Sequence, residues 1–335
     1  MVAQVTTFGT TADGRKVDAI HLTKGELRAT ILTYGARLQD LRLAGAPWPL
    51  TLGASTVAAY EGPFAYFGAI VGPVANRISG ATAMIDGAGF DFAANEPGPI
   101  TLHSGPTGSH AQVWQVRSAD QTHVTLCLPL ADGLGGFPGN RVLHASFVLE
   151  APATLHLTLT ATTDAPTLIN LANHSYWNLD GSADIAEHQL MVAADRYLPV
   201  DSSLVPQTPA EVTNTGFDFR RLRRPAPDFR LDHNFCLTDA PGPLRAAASL
   251  AGGRGVRLDL ATTAPGLQVY DGAGLETTPH LGLTGQPYGP GAGIALEPQH
   301  WPNAANRPDF APILLRPGST WQQTSVFSLS RSENG

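Results

Sequence analysis

The chain has 335 residues, 43% of them hydrophobic and 15% charged, which supplies a sizeable core and excludes a disordered chain. Its formal net charge of -7, without a dense run of like charge, argues against nucleic acid or an anionic membrane as partner. Two cysteines, Cys127 and Cys236, are too few for a disulfide framework or a four-cysteine zinc site, and their apolar surroundings read as buried positions. In chain order, the opening MVAQVTTFGT lacks the basic start and apolar stretch of a secretory signal. Asp13-Gly14 and Asp86-Gly87 are hairpin-turn signals. A short helix is expected after Gly53, from Ser55 to Tyr60, with Ser55 as its N-cap. The longest apolar run, around YFGAIVGPVA, is too short to span a bilayer, so the expected location is cytoplasmic. Leu155, Leu157 and Leu159 alternate with His156, Thr158 and Thr160. Val256, Leu258 and Leu260 alternate with Arg257 and Asp259, and Trp321, Phe327 and Leu329 share one parity. This period of two puts one strand face on a core. The Pro-rich stretch from Arg221 to Asp228 reads as a loop, and the basic group from Arg220 to Arg224 as a solvated one.

Thirty-five glycines and 27 prolines punctuate these runs, and no repeat of fixed period is present. Short alternating strands with frequent turns predict an all-β, largely antiparallel sandwich or barrel with very few short helices, as a single domain over residues 1–335.

The chain carries no phosphate loop, dinucleotide fingerprint, His-Glu-x-x-His or Gly-x-Ser-x-Gly pattern. His103 and His110 flank a Gly/Ser loop but lack a third ligand, so no metal site is expected there. Six polar clusters lie in apolar or aromatic sequence: VANRISG with Asn76 and Arg77, TLHSG with His103, NLANHSYWNL with His174, LDHNFCL with Asp232, PGLQVYDG with Gln268, and IALEPQHWPNAANRPDF with Glu297. Singly, each has a structural explanation. Glu297 follows an apolar strand, where burial raises a carboxyl pKa toward the range of a general base. Trp177, near His174, and Trp301, near Glu297, are expected to offer flat faces to a sugar ring. The side chains of these clusters mix donors and acceptors as a polyol requires.

In this order, the clusters resemble the galactose mutarotase (aldose 1-epimerase) family over nearly the whole chain. The resemblance implies a large β-sandwich, a supersandwich, holding a monosaccharide in a cleft on one sheet, with no cofactor and no metal, in a monomer or homodimer. It implies that Glu297 is the base and His174 the acid of anomer interconversion. It further implies that Asn76, Arg77, His103, Asp232 and Gln268 bind the sugar. Two other readings use the same fold: a non-catalytic sugar-binding module and a hexose-phosphate epimerase. A glycoside hydrolase would need a second carboxylate at the bond, where Asp232 matches a binding position instead. The chain departs from the family at Gly72-Pro73, at His103-Ser104-Gly105 in place of His-Gly-Gly, and at Val205-Pro206-Gln207-Thr208.

Overall fold

The computed structural model describes residues 3–226 and 228–332. Its largest sheet has eight antiparallel strands, ordered Gln115–Ala119, His123–Leu130, Arg141–Glu150, Thr154–Thr163, Trp321–Arg331, Val256–Thr262, Arg245–Ala251 and Gln189–Val192. Leu155, Leu157 and Leu159 are buried while their alternating neighbours are half-exposed, so the period of two marks the core face. Val256, Leu258 and Leu260 do the same on a neighbouring strand. A four-stranded meander, Gln4–Thr10, Lys16–Lys24, Leu27–Leu32 and Arg37–Leu43, adds Ile20, Leu22, Leu27 and Leu41 to the same core.

A second sheet has six strands, ordered Tyr176–Trp177, Ile294–Gln299, Gly266–Tyr270, Asp232–Cys236, Arg196–Tyr197 and Ala210–Glu211. One face sends Ile294, Leu296, Leu267, Val269, Phe235 and Trp177 into the core shared with the eight-stranded sheet. Trp177 stacks there on Phe327 at 5.3 Å between ring centres. Fully buried strands read as continuous apolar runs, and here the run is interrupted on the opposite face by Glu297 and Gln268.

The turn at Asp86-Gly87 closes the hairpin of Thr82–Ile85 and Ala88–Asp91 with both residues at positive φ, 49° and 82°, as a two-residue hairpin turn requires. The helix spans Val57–Tyr60, and its N-cap is Thr56, whose hydroxyl accepts from the Ala59 amide at 3.4 Å. Ser55 is therefore not the cap; the chain enters the helix one residue later. The Arg220–Arg224 group lies in a loop with its own acidic partners, Arg220 on Asp218 and Asp195, Arg224 on Glu187. The predicted loop beyond it includes Pro227, which lies outside the described residues. Cys127 and Cys236 are buried and unpaired. Among the described residues, no helix is long and apolar enough to cross a membrane.

Candidate active site

Strand register builds the floor of a cleft of about 350 Å³. Gln268 is paired with Glu297 and Asn234 with Gln268, which sets Glu297, Gln268 and Asn234 in one rank across three strands. The next rank runs Tyr176, Ala295, Tyr270 and Asp232. Ala295 is small, so the two tyrosines meet over it at 6.1 Å between ring centres. Because residues two apart on a strand share a face, Ala295 and Glu297 lie on the same side, where Glu297 lines the cleft and Ala295 packs beneath the tyrosines, while Ile294 and Leu296 hold the strand to the core.

His174 enters from the segment before Tyr176–Trp177. Its amide donates to the Ala69 carbonyl and its carbonyl accepts from the Gly68 amide, both at 2.9 Å, which fixes the imidazole against Tyr66 and Tyr176. Asn170, in the same polar cluster as His174, accepts from the His300 amide at 2.8 Å. The Asn170 side chain thus ties the cluster carrying His174 to the backbone of the cluster carrying Glu297. Arg37 supports the opposite wall. It is fully buried and donates to the carbonyls of Tyr34, Phe64, Ala65, Phe67 and His110, holding the segment that presents Tyr66 and Phe67. Burial lowers its pKa to about 10.

Arg77, Asn76 and His103 come from a two-stranded ladder, Arg77–Ser79 with Ile100–Leu102. Asn76, His103 and Ser104 all have positive φ, at 63°, 50° and 67°. Asn and His adopt this region more readily than most residues. Ser104, a departure from the pattern the resemblance implies, has a hydroxyl that accepts from the Val74 amide at 2.8 Å and donates to the Val74 carbonyl at 3.0 Å. Those two bonds offset the cost of a side chain in left-handed backbone. The His103 amide donates to the Asn76 carbonyl at 3.0 Å, while its Nδ1 accepts from the Asn76 amide at 3.1 Å. That fixes the tautomer: Nε2 carries the ring proton and is a donor.

All seven residues singled out from the sequence line this one cleft: Asn76, Arg77, His103, His174, Asp232, Gln268 and Glu297. His174 Nε2 lies 3.5 Å from Glu297 Oε1, with both side chains buried. Gln268 Nε2 donates to Asp232 Oδ1 at 2.6 Å, and Arg77 Nη1 lies 3.8 Å from Asp232 Oδ2. Glu297 Oε2 and His174 Nδ1 are buried without a hydrogen-bond partner among the described residues. Burial pushes the Glu297 carboxyl well up, Asp232 adds to the rise, and Arg77 opposes it. Burial lowers His174 to about 4. Asp232 is raised by burial, against Arg77 and the Gln268 hydrogen bond.

The aromatic expectation needs correction. Trp177 points to the inter-sheet core, and Trp301 packs edge-on against Phe310 while its indole donates to the Pro265 carbonyl. The cleft is lined instead by Tyr66, Phe67, Tyr176 and Tyr270. Tyr176 and Tyr270 lie inside the polar clusters, one residue from Trp177 and two from Gln268, and strand parity was the signal that separates them from the core. Tyr66 had no such signal.

Among the described residues, His103, His174 and Glu297 could offer ligand atoms to a metal, all within 4.8 Å of one another. The His103 lone pair at Nδ1 is engaged by the Asn76 amide, however, and Nε2–H suits a hydroxyl or ring oxygen better than a cation.

A family model for aldose 1-epimerase matches residues 18–328. This chain belongs to the aldose 1-epimerase family. Galactose mutarotase of Sus scrofa is 35% identical over 326 residues, 94% of each chain. The aldose 1-epimerase of Escherichia coli K12 is 32% identical over 316 residues, 89% of this chain and 90% of that one. Among solved structures, an aldose epimerase homologue from C. elegans superposes with a TM-score of 0.88 at 30% identity, covering 94% of this chain and 99% of the other. The galactose 1-epimerase of Lactobacillus acidophilus NCFM gives 0.83 at 28% identity, with 99% of both chains covered. The enzyme is accordingly an isomerase acting on carbohydrates, built on the mutarotase β-sandwich.

Proposed function

We propose that this mutarotase interconverts the α and β anomers of a free aldose such as glucose or galactose, with Glu297 as base and His174 as acid. The observation that carries the assignment is the buried contact of 3.5 Å between His174 Nε2 and Glu297 Oε1, in a cleft that Asn76, Arg77, His103, Asp232 and Gln268 also line. Glu297 takes the proton of the C1 hydroxyl while His174 delivers one to the ring oxygen, and the C1–O5 bond breaks. The aldehyde turns about C1–C2. The C5 hydroxyl then adds to its other face, returning a proton to His174 as Glu297 returns one to the carbonyl oxygen.

The pair holds one proton throughout. It is charge-separated with the closed sugar and neutral with the open aldehyde. Burial favours the neutral arrangement, raising Glu297 and lowering His174. That is the arrangement that accompanies the ring-opened sugar, so the site lowers the energy of the least stable stage. The closed sugar supports the charged arrangement through O1–H donated to Glu297 and O5 accepting from His174. Asp232, Gln268, Arg77, Asn76 and the His103 Nε2–H hold the remaining hydroxyls.

A non-catalytic sugar module has no need of an acid and a base in contact. A hexose-phosphate epimerase would place cations at the cleft. Arg77 is the one arginine or lysine among the lining residues, and Asp232 and Glu297 outnumber it. We further read residues 1–335 as one domain, working in the cytoplasm as a monomer or homodimer on a free monosaccharide, with neither nucleic acid nor a membrane as partner. The two buried unpaired cysteines fit a reducing compartment. Polarimetry of fresh α-D-galactose and α-D-glucose tests the reading: the enzyme-driven rate should collapse in Glu297→Gln, and an unchanged rate overturns it.

A further inference from the structure

We propose that Glu96 is a positioning residue of the sugar site, which holds the Arg77 guanidinium side-on so that only its Nη1 edge addresses the cleft. This rests on the reading of the cleft as the aldose site. Arg77 is buried, with 9% of its side chain exposed, and a buried guanidinium needs its donors paired. Glu96 supplies a two-point grip: Nε donates to Oε2 at 2.7 Å and Nη2 to Oε1 at 3.0 Å. That uses one side of the planar fork and leaves Nη1, which lies 3.8 Å from Asp232 Oδ2.

Glu96 does not line the cleft, so any effect on sugar passes through Arg77. It is itself held in place. The neighbouring Asn95 brackets Leu102, accepting from its amide at 2.7 Å and donating to its carbonyl at 3.1 Å. Leu102 pairs with Arg77 across the ladder and precedes His103. One turn therefore sets both the Arg77 fork and the strand that presents His103.

The grip has an electrostatic side. Charged or titratable groups facing Glu297 are Asp232, Arg77, His174, His103 and Tyr176; those facing Glu96 are Arg77, Asp232 and Tyr66. The positive charge of Arg77 opposes the rise of the Glu297 carboxyl. The charge of Glu96 offsets Arg77. Removing it leaves Arg77 unbalanced, which favours loss of the proton shared by Glu297 and His174.

The test compares Glu96→Gln and Glu96→Asp by polarimetry at varied sugar concentration and pH. Glu96→Gln should raise KM roughly tenfold with a smaller change in kcat, and shift the alkaline limb of kcat/KM to lower pH. Glu96→Asp keeps the charge, so it should raise KM while leaving that limb near the wild-type position. In an Arg77→Gln background, the Glu96→Gln effect on KM should vanish. Wild-type KM and limb position in Glu96→Gln overturn the proposal, as does a full Glu96→Gln effect without Arg77. If Glu96→Gln fails to fold, Glu96→Asp decides: an unchanged KM overturns the proposal. A wild-type enzyme that does not interconvert anomers instead overturns the functional reading on which the proposal rests.

Discussion

Asp232 and Gln268 sit on adjacent strands, and the amide of Gln268 donates to one oxygen of the Asp232 carboxylate at 2.6 Å while Arg77 approaches the other. The carboxylate is therefore held from two sides, one strand beyond the Gln268 that pairs with Glu297. Its charge raises Glu297, and in the proposed function it also binds sugar hydroxyls.

Asp232→Asn should consequently do two things. KM should rise by about tenfold, since a held acceptor for sugar hydroxyls is lost. The Glu297 carboxyl should fall toward its ordinary range once the neighbouring negative charge is removed. Steady-state polarimetry across pH reads both effects; an alkaline limb that stays in place contradicts the second.

Glu297→Gln and His174→Asn should each reduce kcat by about a hundred- to ten-thousand-fold, the usual worth of a positioned acid or base. The double variant should lose little more than the worse single one, because the two groups share one proton and work as a unit. Additive losses would argue for independent roles.

The pH dependence of kcat/KM should be a bell. Below the acidic limb the pair holds two protons and the base is lost; burial puts His174 at about 4, which sets that limb. Above the alkaline limb the pair holds none and the acid is lost; this limb lies above the ordinary glutamate range because Glu297 is raised. Both limbs belong to the coupled pair rather than to either residue. A profile that is flat from about pH 5 to about pH 8 and falls toward pH 4 is compatible, whereas activity that vanishes below about pH 6 is not.

Stability should fall on acidification. His110, His174 and His300 are buried, with pKa values lowered to about 3, about 4 and about 4. Below the unfolded histidine value the unfolded chain binds protons that the native state does not, so stability is present above about pH 6.5 and is lost as pH falls toward about 4. Each histidine contributes on the order of 1 kcal/mol per pH unit in that window. Urea midpoints at pH 7.5 and 5.5 check it; equal midpoints would refute buried neutral imidazoles.

Ser104→Ala should cost about 1–3 kcal/mol, because it keeps a side chain in left-handed backbone and leaves the buried Val74 amide without its partner. Ser104→Gly loses the same bonds but removes the backbone strain, so it should be milder. Urea denaturation ranks the two; the reverse order would remove the compensation argument.

Much of the cleft was legible before the fold was known. The six polar clusters name every one of the seven residues brought together, and the apolar run before Glu297 anticipates its raised carboxyl. Adjacency along the chain misled at Trp177 and Trp301. Tyr176 and Trp177 are neighbours on a strand and so face opposite sides of the sheet, which sends the tyrosine to the cleft and the tryptophan onto Phe327. Arg37 and Glu96 gave no local signal, since their partners lie at carbonyls of Phe64, Ala65, Phe67 and His110, and at Arg77.

By itself, the amino-acid order determined the all-β class, through period-two alternation and turn residues, and the chemical types available to the site. Only the tertiary structure decided which of those types meet. Register between two adjacent strands puts Glu297 beside Gln268, the Asn76 amide chooses the His103 tautomer, and burial sets the protonation of the His174–Glu297 pair. These depend on distance and desolvation between residues remote in sequence, which local pattern does not encode.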